Sequence, residues 1–270
     1  MTHFLRIRAM ILTRAAHDTT VLYTKRMSDL DPLESIHNGL PRQGPGSDST
    51  TETLFSTIKH PEKIQRSIDM GCGTGRSTIW LAQQGIDMVA IDTSQSFLDT
   101  LREAAARAGV ANHIDIENMS IDAVSYPDES FDLVWSEGAA YFIGWAHALT
   151  SWKRLLRPNG YLIATDMFWT TDNPSPELAN FFKDDNVLTL EQGLEIAQQS
   201  GYVVIKTYVQ PDSDWFDEYY HALDERAENF SAQPNTKLRE AGNQAKQEIA
   251  IRRKYKTEYQ HVGFVLQIDQ

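Results

Sequence analysis

The stretch Ile68-Asp69-Met70-Gly71-Cys72-Gly73-Thr74-Gly75 decides the reading of this 270-residue chain. An acid closes a short apolar run, three glycines alternate with small residues, and a helix-forming segment follows at once. Glycine turns the backbone sharply through positive φ and lets a ligand lie against bare peptide. The helix behind such a turn directs its unpaired N–H groups at whatever occupies it. The dinucleotide fingerprint G-x-G-x-x-G would need a further glycine at position 76, where Arg76 stands.

Outward from this loop the pattern repeats. Met88-Val89-Ala90-Ile91-Asp92 is a second apolar run ending in a carboxylate, 17 residues past Gly75. An acid about 20 residues beyond such a loop binds ribose hydroxyls in nucleotide-binding βαβ units. A third run at 114–117 leads to Asn118-Met119-Ser120-Ile121-Asp122, and a fourth reads Phe131-Asp132-Leu133-Val134-Trp135-Ser136. Strand and helix patterns alternate from residue 67 onward, which predicts βαβ units and a parallel sheet. Helices are expected at 50–58, 74–84, 94–108 with Ser94 as N-cap, 146–156 and 189–199. A β-branched strand at 202–209, charged helices at 212–230 and 237–259, and a strand at 262–268 complete the reading.

These segments stand in an order and spacing that resemble the class I S-adenosylmethionine-dependent methyltransferases over residues 65–168. Three more stretches, Arg42-Gln43-Gly44-Pro45-Gly46-Ser47, Trp135-Ser136-Glu137-Gly138-Ala139 and Lys254-Tyr255-Lys256 with Glu258-Tyr259, are similar to a bacterial type 11 group acting on small molecules. The resemblance implies an α/β, Rossmann-like, doubly wound, mostly parallel seven-stranded sheet. Its last strand would be antiparallel, preceded by a helical lid insertion at about 211–260. The domain would span 41–270, after a partly disordered extension at 1–40.

It further implies S-adenosyl-L-methionine as cofactor and a small-molecule methyl acceptor. Gly71, Cys72, Gly73 and Gly75 would floor the cofactor site, Asp69 would hold its ammonium, and Asp92 with Thr93 its ribose. Ser120 and Ile121 would flank adenine, with Asp122 able to replace Ser120, and Ser136 at the end of strand four would also bind the cofactor. Arg42 and Gln43 would close over the methionine carboxylate. Glu137 would bind or deprotonate the acceptor, and Tyr141, Phe142, Met167, Trp169 and Trp215 would line its pocket. His147 reads as a surface or packing residue. A nicotinamide-dependent oxidoreductase and a non-catalytic cofactor-binding regulator are the alternatives.

Composition sets outer bounds. A net charge of −12, from 37 acids against 25 bases, argues against nucleic acid or anionic lipid as substrate. No apolar run reaches the roughly 18 residues of a membrane span. A single cysteine, Cys72, excludes an internal disulfide and suggests a reducing, cytoplasmic setting. No His, Cys, Asp or Glu cluster has metal-ligand spacing, so no metal is expected. The segment before Asp18 carries Arg6, Arg8 and Arg14 and no acid. It reads as a targeting segment or as sequence upstream of a start at Met27, the second being favoured. Oligomeric state stays open, a homodimer included.

Overall fold

The structure is a computed structural model and describes residues 32–268. The arginines of the first segment and Met27 lie outside the described residues. The order of elements is α1 (Pro32–His37), α2 (Asp48–Phe55), β1 (Arg66–Met70), α3 (Arg76–Gln83), β2 (Asp87–Asp92), α4 (Gln95–Ala108), β3 (Ile114–Asn118) and β4 (Phe131–Glu137). Then come α5 (Trp145–Lys153), β5 (Leu156–Trp169), α6 (Pro176–Phe181), β6 (Leu188–Thr189), α7 (Leu190–Gln199) and β7 (Tyr202–Val209). After α8 (Asp212–Trp215), α9 (His221–Ser231) and α10 (Thr236–Tyr255) the described chain closes with β8 (Tyr259–Ile268).

One sheet runs in the order β3-β2-β1-β4-β5-β8-β7, and two-residue β6 adds an eighth strand beside the end of β5. The expected parallel core and antiparallel last strand are both present, since β8 pairs antiparallel with β5 and with β7. Side chains alternate across a strand, so a sheet covered on both faces needs apolar residues at odd and even positions alike. In β2, Val89 and Ile91 enter one core while Met88 and Ala90 enter the other. Parallel registry brings the strand ends into line: Asp69 lies opposite Ala90 and Trp135, and Glu137 opposite Thr165. Asp69, Asp92, Asn118, Glu137 and Asp166 thus stand along one carboxyl-end rim, where open α/β sheets bind ligands.

The insertion differs from expectation in its details. Rather than one helix over 212–230, α8 opens into a wide π-type turn at Phe216–Tyr220 before α9 resumes. Such a turn accommodates an extra residue, and here Tyr219 and Tyr220 within it are buried. Helix α10 ends at Tyr255 and β8 begins at Tyr259, three residues before the predicted start. Residues 32–40 are no loose extension, because Ile36 and Leu40 are buried in a third core with Trp215, Leu223, Phe230 and Ile249.

Arg252 of α10 fastens this helical layer to the sheet. Its side chain is fully buried and stacks 4.2 Å above the Trp215 ring. It donates to the carbonyls of Tyr259 (2.6 Å) and Lys256 (3.2 Å), to Gln260 Oε1 (2.9 Å) and to Asp212 (3.2 Å). Arg252→Ala strands the buried Tyr259 carbonyl and removes three further charged bonds, and should lower stability by roughly 2–3 kcal/mol in a urea titration, the range for charged hydrogen bonds.

Candidate active site

The turn after β1 is fixed by backbone bonds to its neighbour strand. Gly71 and Cys72 both donate to the Ile91 carbonyl, at 2.9 and 3.0 Å. Gly71, Gly73 and Gly75 have φ of +74°, +53° and +83°, a region that glycine enters without steric cost. Asp92 reaches across from β2: Oδ2 accepts the Gly73 N–H at 3.0 Å and Oδ1 the Ser94 N–H at 2.8 Å. Asp69 accepts the Thr78 hydroxyl at 2.6 Å from within α3. Burial pushes its carboxyl up to about 7, against that hydrogen bond, with help from Glu137 and Asp92 nearby. Asp92 is likewise raised by burial.

The segment between α1 and α2 lies over this turn as a strap. Gln43 Oε1 accepts both the N–H (3.1 Å) and the hydroxyl (2.9 Å) of Thr74. Arg42 is buried and pairs with Glu137 (3.1 Å) and Asp48 (2.9 Å). Glu137 also accepts from Thr51 Oγ1 at 2.8 Å and from Trp135 Nε1 at 3.1 Å. A carboxylate with three donors on its two oxygens is a clamp between strap and sheet. The residue expected to bind or deprotonate the acceptor is thus held on both oxygens by the protein itself.

A cavity of about 2180 Å³ opens along the rim. Asp69, Gly71, Cys72, Gly73, Asp92, Thr93, Ser120 and Ile121 line it, with Arg42, Gln43, Glu137, Tyr141, Phe142, Met167 and Trp215. Three expected residues lie elsewhere. Gly75 meets α4, where an added Cβ would stand 2.0 Å from Leu101. Ser136 is fully buried and donates to the Met70 carbonyl, because strand alternation turns it inward. Trp169 packs edge-on against Phe182 and Tyr259. Cys72 lines the cavity, but burial holds its thiol well above the usual range, so it stays protonated. Asp122 pairs with half-exposed His147 at 2.7 Å.

Several lining residues had no sequence signal. Glu34 of α1 accepts the hydroxyls of Ser94 and Ser96 at 2.6 Å each, beside Asp92. Asp185, Glu248 and His261 arrive from the loop after α6, from α10 and from β8. Burial pushes Asp166, Asp185 and Glu248 each up to about 7, and holds His261 down at about 3 as a neutral imidazole. Among the described residues no three His, Cys, Asp or Glu are grouped to hold a metal ion.

Comparison with known proteins agrees with this geometry. Residues 68–164 match the type 11 family model, described as a methyltransferase domain. An uncharacterised methyltransferase of Mycobacterium tuberculosis is 33% identical over 115 residues, 41% of this chain and 42% of that protein. The chain thus spans under half of this relative's length. An O-methyltransferase of Aspergillus sclerotiorum is 25% identical over 73% of this chain and 80% of its own. An S-adenosylmethionine-dependent methyltransferase of Geobacter sulfurreducens, solved with S-adenosyl-L-homocysteine, superposes with a TM-score of 0.74. It shares 22% identity, over 92% of this chain and all of that one. Residues 68–164 are thus similar to a methyltransferase domain, and the described chain shares the fold of a solved S-adenosylmethionine-dependent methyltransferase.

The raised carboxylates give a signed pH dependence. A folded pKa above the unfolded one favours folding below the unfolded value, and that contribution is lost as pH rises through about 7. The thermal midpoint of the unliganded protein should therefore fall between pH 6 and pH 8.5. Asp69→Asn should flatten part of that fall in a calorimetric series.

Proposed function

We propose that this protein transfers a methyl group from S-adenosyl-L-methionine to a small-molecule acceptor. The observation that carries the reading is the cradle itself. Positive-φ glycines, Asp92 and a buried Asp69 with no basic partner among the described residues line one cavity, whose other end is closed by aromatic and acidic side chains. The residues fit the cofactor. Asp69 would hold the ammonium, since a cation relieves the burial that raises its carboxyl. Asp92 would hold the ribose through lone pairs left by its two amide partners, and Ser120 and Ile121 the adenine. Gln43 would close over the methionine end.

When bound, the cofactor supplies an electrophilic methyl group on a sulfonium. The chain contributes alignment, which supplies much of the rate in a displacement of this kind. Tyr141 and Phe142, with ring centroids 4.2 Å apart, wall the space between the two ends. Glu137 is a positioning residue in this reading, holding Arg42 and so the strap.

Calorimetry with S-adenosyl-L-homocysteine tests the proposal. The wild-type chain should bind it, and label from methyl-tritiated cofactor should enter a metabolite fraction. Tight binding of NADH with no response to S-adenosyl-L-homocysteine would sink the reading. Gly73→Val should abolish binding, because its Cβ would lie 2.8 Å from Gln43 Oε1 on a backbone at positive φ. Asp92→Ala should weaken it by roughly 1.5–3 kcal/mol.

Glu137→Gln separates clamp from base. As a clamp, its loss should weaken cofactor binding and leave the shape of the pH–rate profile unchanged. A flattened acidic limb would restore Glu137 as the base.

A further inference from the structure

At the far end of the cavity two acids, Asp166 and Asp185, have no ion-pair partner among the described residues. Asp166 is 6% exposed and accepts one hydrogen bond, at Oδ1 from the Met167 N–H (2.8 Å), which leaves Oδ2 to the cavity it lines. Asp185 lines the same space, and neither of its oxygens meets a hydrogen-bond donor among the described residues. Glu248 enters from α10 and accepts the Tyr220 hydroxyl at 3.0 Å. All three act on Tyr141, which places them around one chamber.

The arginines at hand are engaged elsewhere. Arg42 is bound to Asp48 and Glu137, and Arg76 to Asp48, both at the glycine-loop end. Lys237 is exposed at the rim. Arg252, stacked on Trp215, is outside the lining and spends its two terminal nitrogens on four oxygens. His261 is neutral, with Nδ1 unpartnered.

A carboxylate buried without a partner draws in either a proton or a cation. The surrounding Tyr141, Tyr219 and Tyr220 have hydroxyls that burial keeps protonated. Their rings offer faces that attract an organic cation. A compact metal ion is the poorer match, because the acids do not converge into a ligand set.

We propose that the methyl acceptor is a small amine, which enters as its ammonium and is recognised by Asp166 and Asp185 with the tyrosine-lined chamber around its apolar part. The inference rests on the methyltransferase reading and names its substrate class. It also gives the acid a task. Asp166 Oδ2 takes the ammonium proton, the N–H bond breaks, and its electron pair stays on nitrogen as the nucleophilic lone pair. A carboxyl held near 7 suits that exchange near neutral pH.

The test is calorimetry on the full chain at pH 8, with and without saturating S-adenosyl-L-homocysteine. The probes share one stem and differ in head group: 2-phenylethylamine, 2-phenylethanol and 3-phenylpropionate, then butylamine, 1-butanol and pentanoate. In at least one series the amine should bind about tenfold or more tightly than the alcohol, with the carboxylate weakest, as expected for a charge-assisted bond. Asp166→Asn and Asp185→Asn should each remove about fivefold or more of the amine affinity, leaving alcohol and S-adenosyl-L-homocysteine affinities within about twofold. Should Asp166→Asn fail to fold, Asp185→Asn, on a partly exposed loop, decides alone. Equal or tighter binding of alcohol or carboxylate, no binding of either amine, or folded variants with unchanged amine affinity would each overturn the proposal. Failure of the wild-type chain to bind S-adenosyl-L-homocysteine, with the amine preference intact, would overturn the methyltransferase reading and spare the acidic chamber.

Discussion

The site hangs on the two hydrogen bonds that Asp92 accepts from the amides of Gly73 and Ser94. One amide belongs to the turn after β1 and the other to the cap of α4, so a single side chain sets the distance between two βα units. Everything along the rim takes its position from that spacing. The glycine turn cannot drift from β2, because Gly71 and Cys72 also bond to Ile91. Met119 cannot drift from it either, since its amide donates to the Asp92 carbonyl at 3.1 Å. A carboxylate in this role is half satisfied by the protein and keeps lone pairs for a ligand.

Charge is distributed unevenly around the cavity. At the glycine-loop end, acids are interleaved with Arg42 and Arg76 and form a closed network with Asp48. At the opposite end, acids stand among aromatic rings, and desolvation dominates their chemistry. The contrast matters because an interior favours neutral groups unless opposite charge or donors compensate. The Arg76–Asp48–Arg42–Glu137 network is therefore complete within the protein, while Asp69 and Asp92 beside it, like the acids of the far end, stay raised by burial.

Legibility in the sequence followed the range of the determining contacts. Asp69, the glycines and Asp92 were readable because a strand, a tight turn and a helix cap are local and each leaves a compositional mark. The antiparallel β8 and the helices before it were also visible, from β-branched alternation and charge. Ser136 misled because a motif names a position, whereas strand alternation decides which way the side chain turns. Glu137 was legible only in part: its motif placed it at the rim, but its donors, Arg42 and Thr51, lie 95 and 86 residues away in sequence. Asp185, Glu248 and Glu34 carried no signal at all. Each is an ordinary acid in a polar segment, made significant only by what the fold brings beside it. The turn at Phe216–Tyr220 was invisible for a related reason, as tertiary packing of Tyr219 and Tyr220 overrides a smooth helical pattern.

The strap has a mechanical consequence. Leu40 is rooted in the helical core around Trp215, and Gln43, three residues on, covers the Thr74 amide. Gln43 also bonds back to the Leu40 carbonyl at 3.2 Å, and Asp214 of α8 holds Gly46 and Thr50 just beyond. Three residues at full stretch reach only about 10 Å. Helices and strap are in effect one lever, with no slack between its arms. A displacement of the helices large enough to widen the far end of the cavity would therefore also lift Gln43 from the glycine turn.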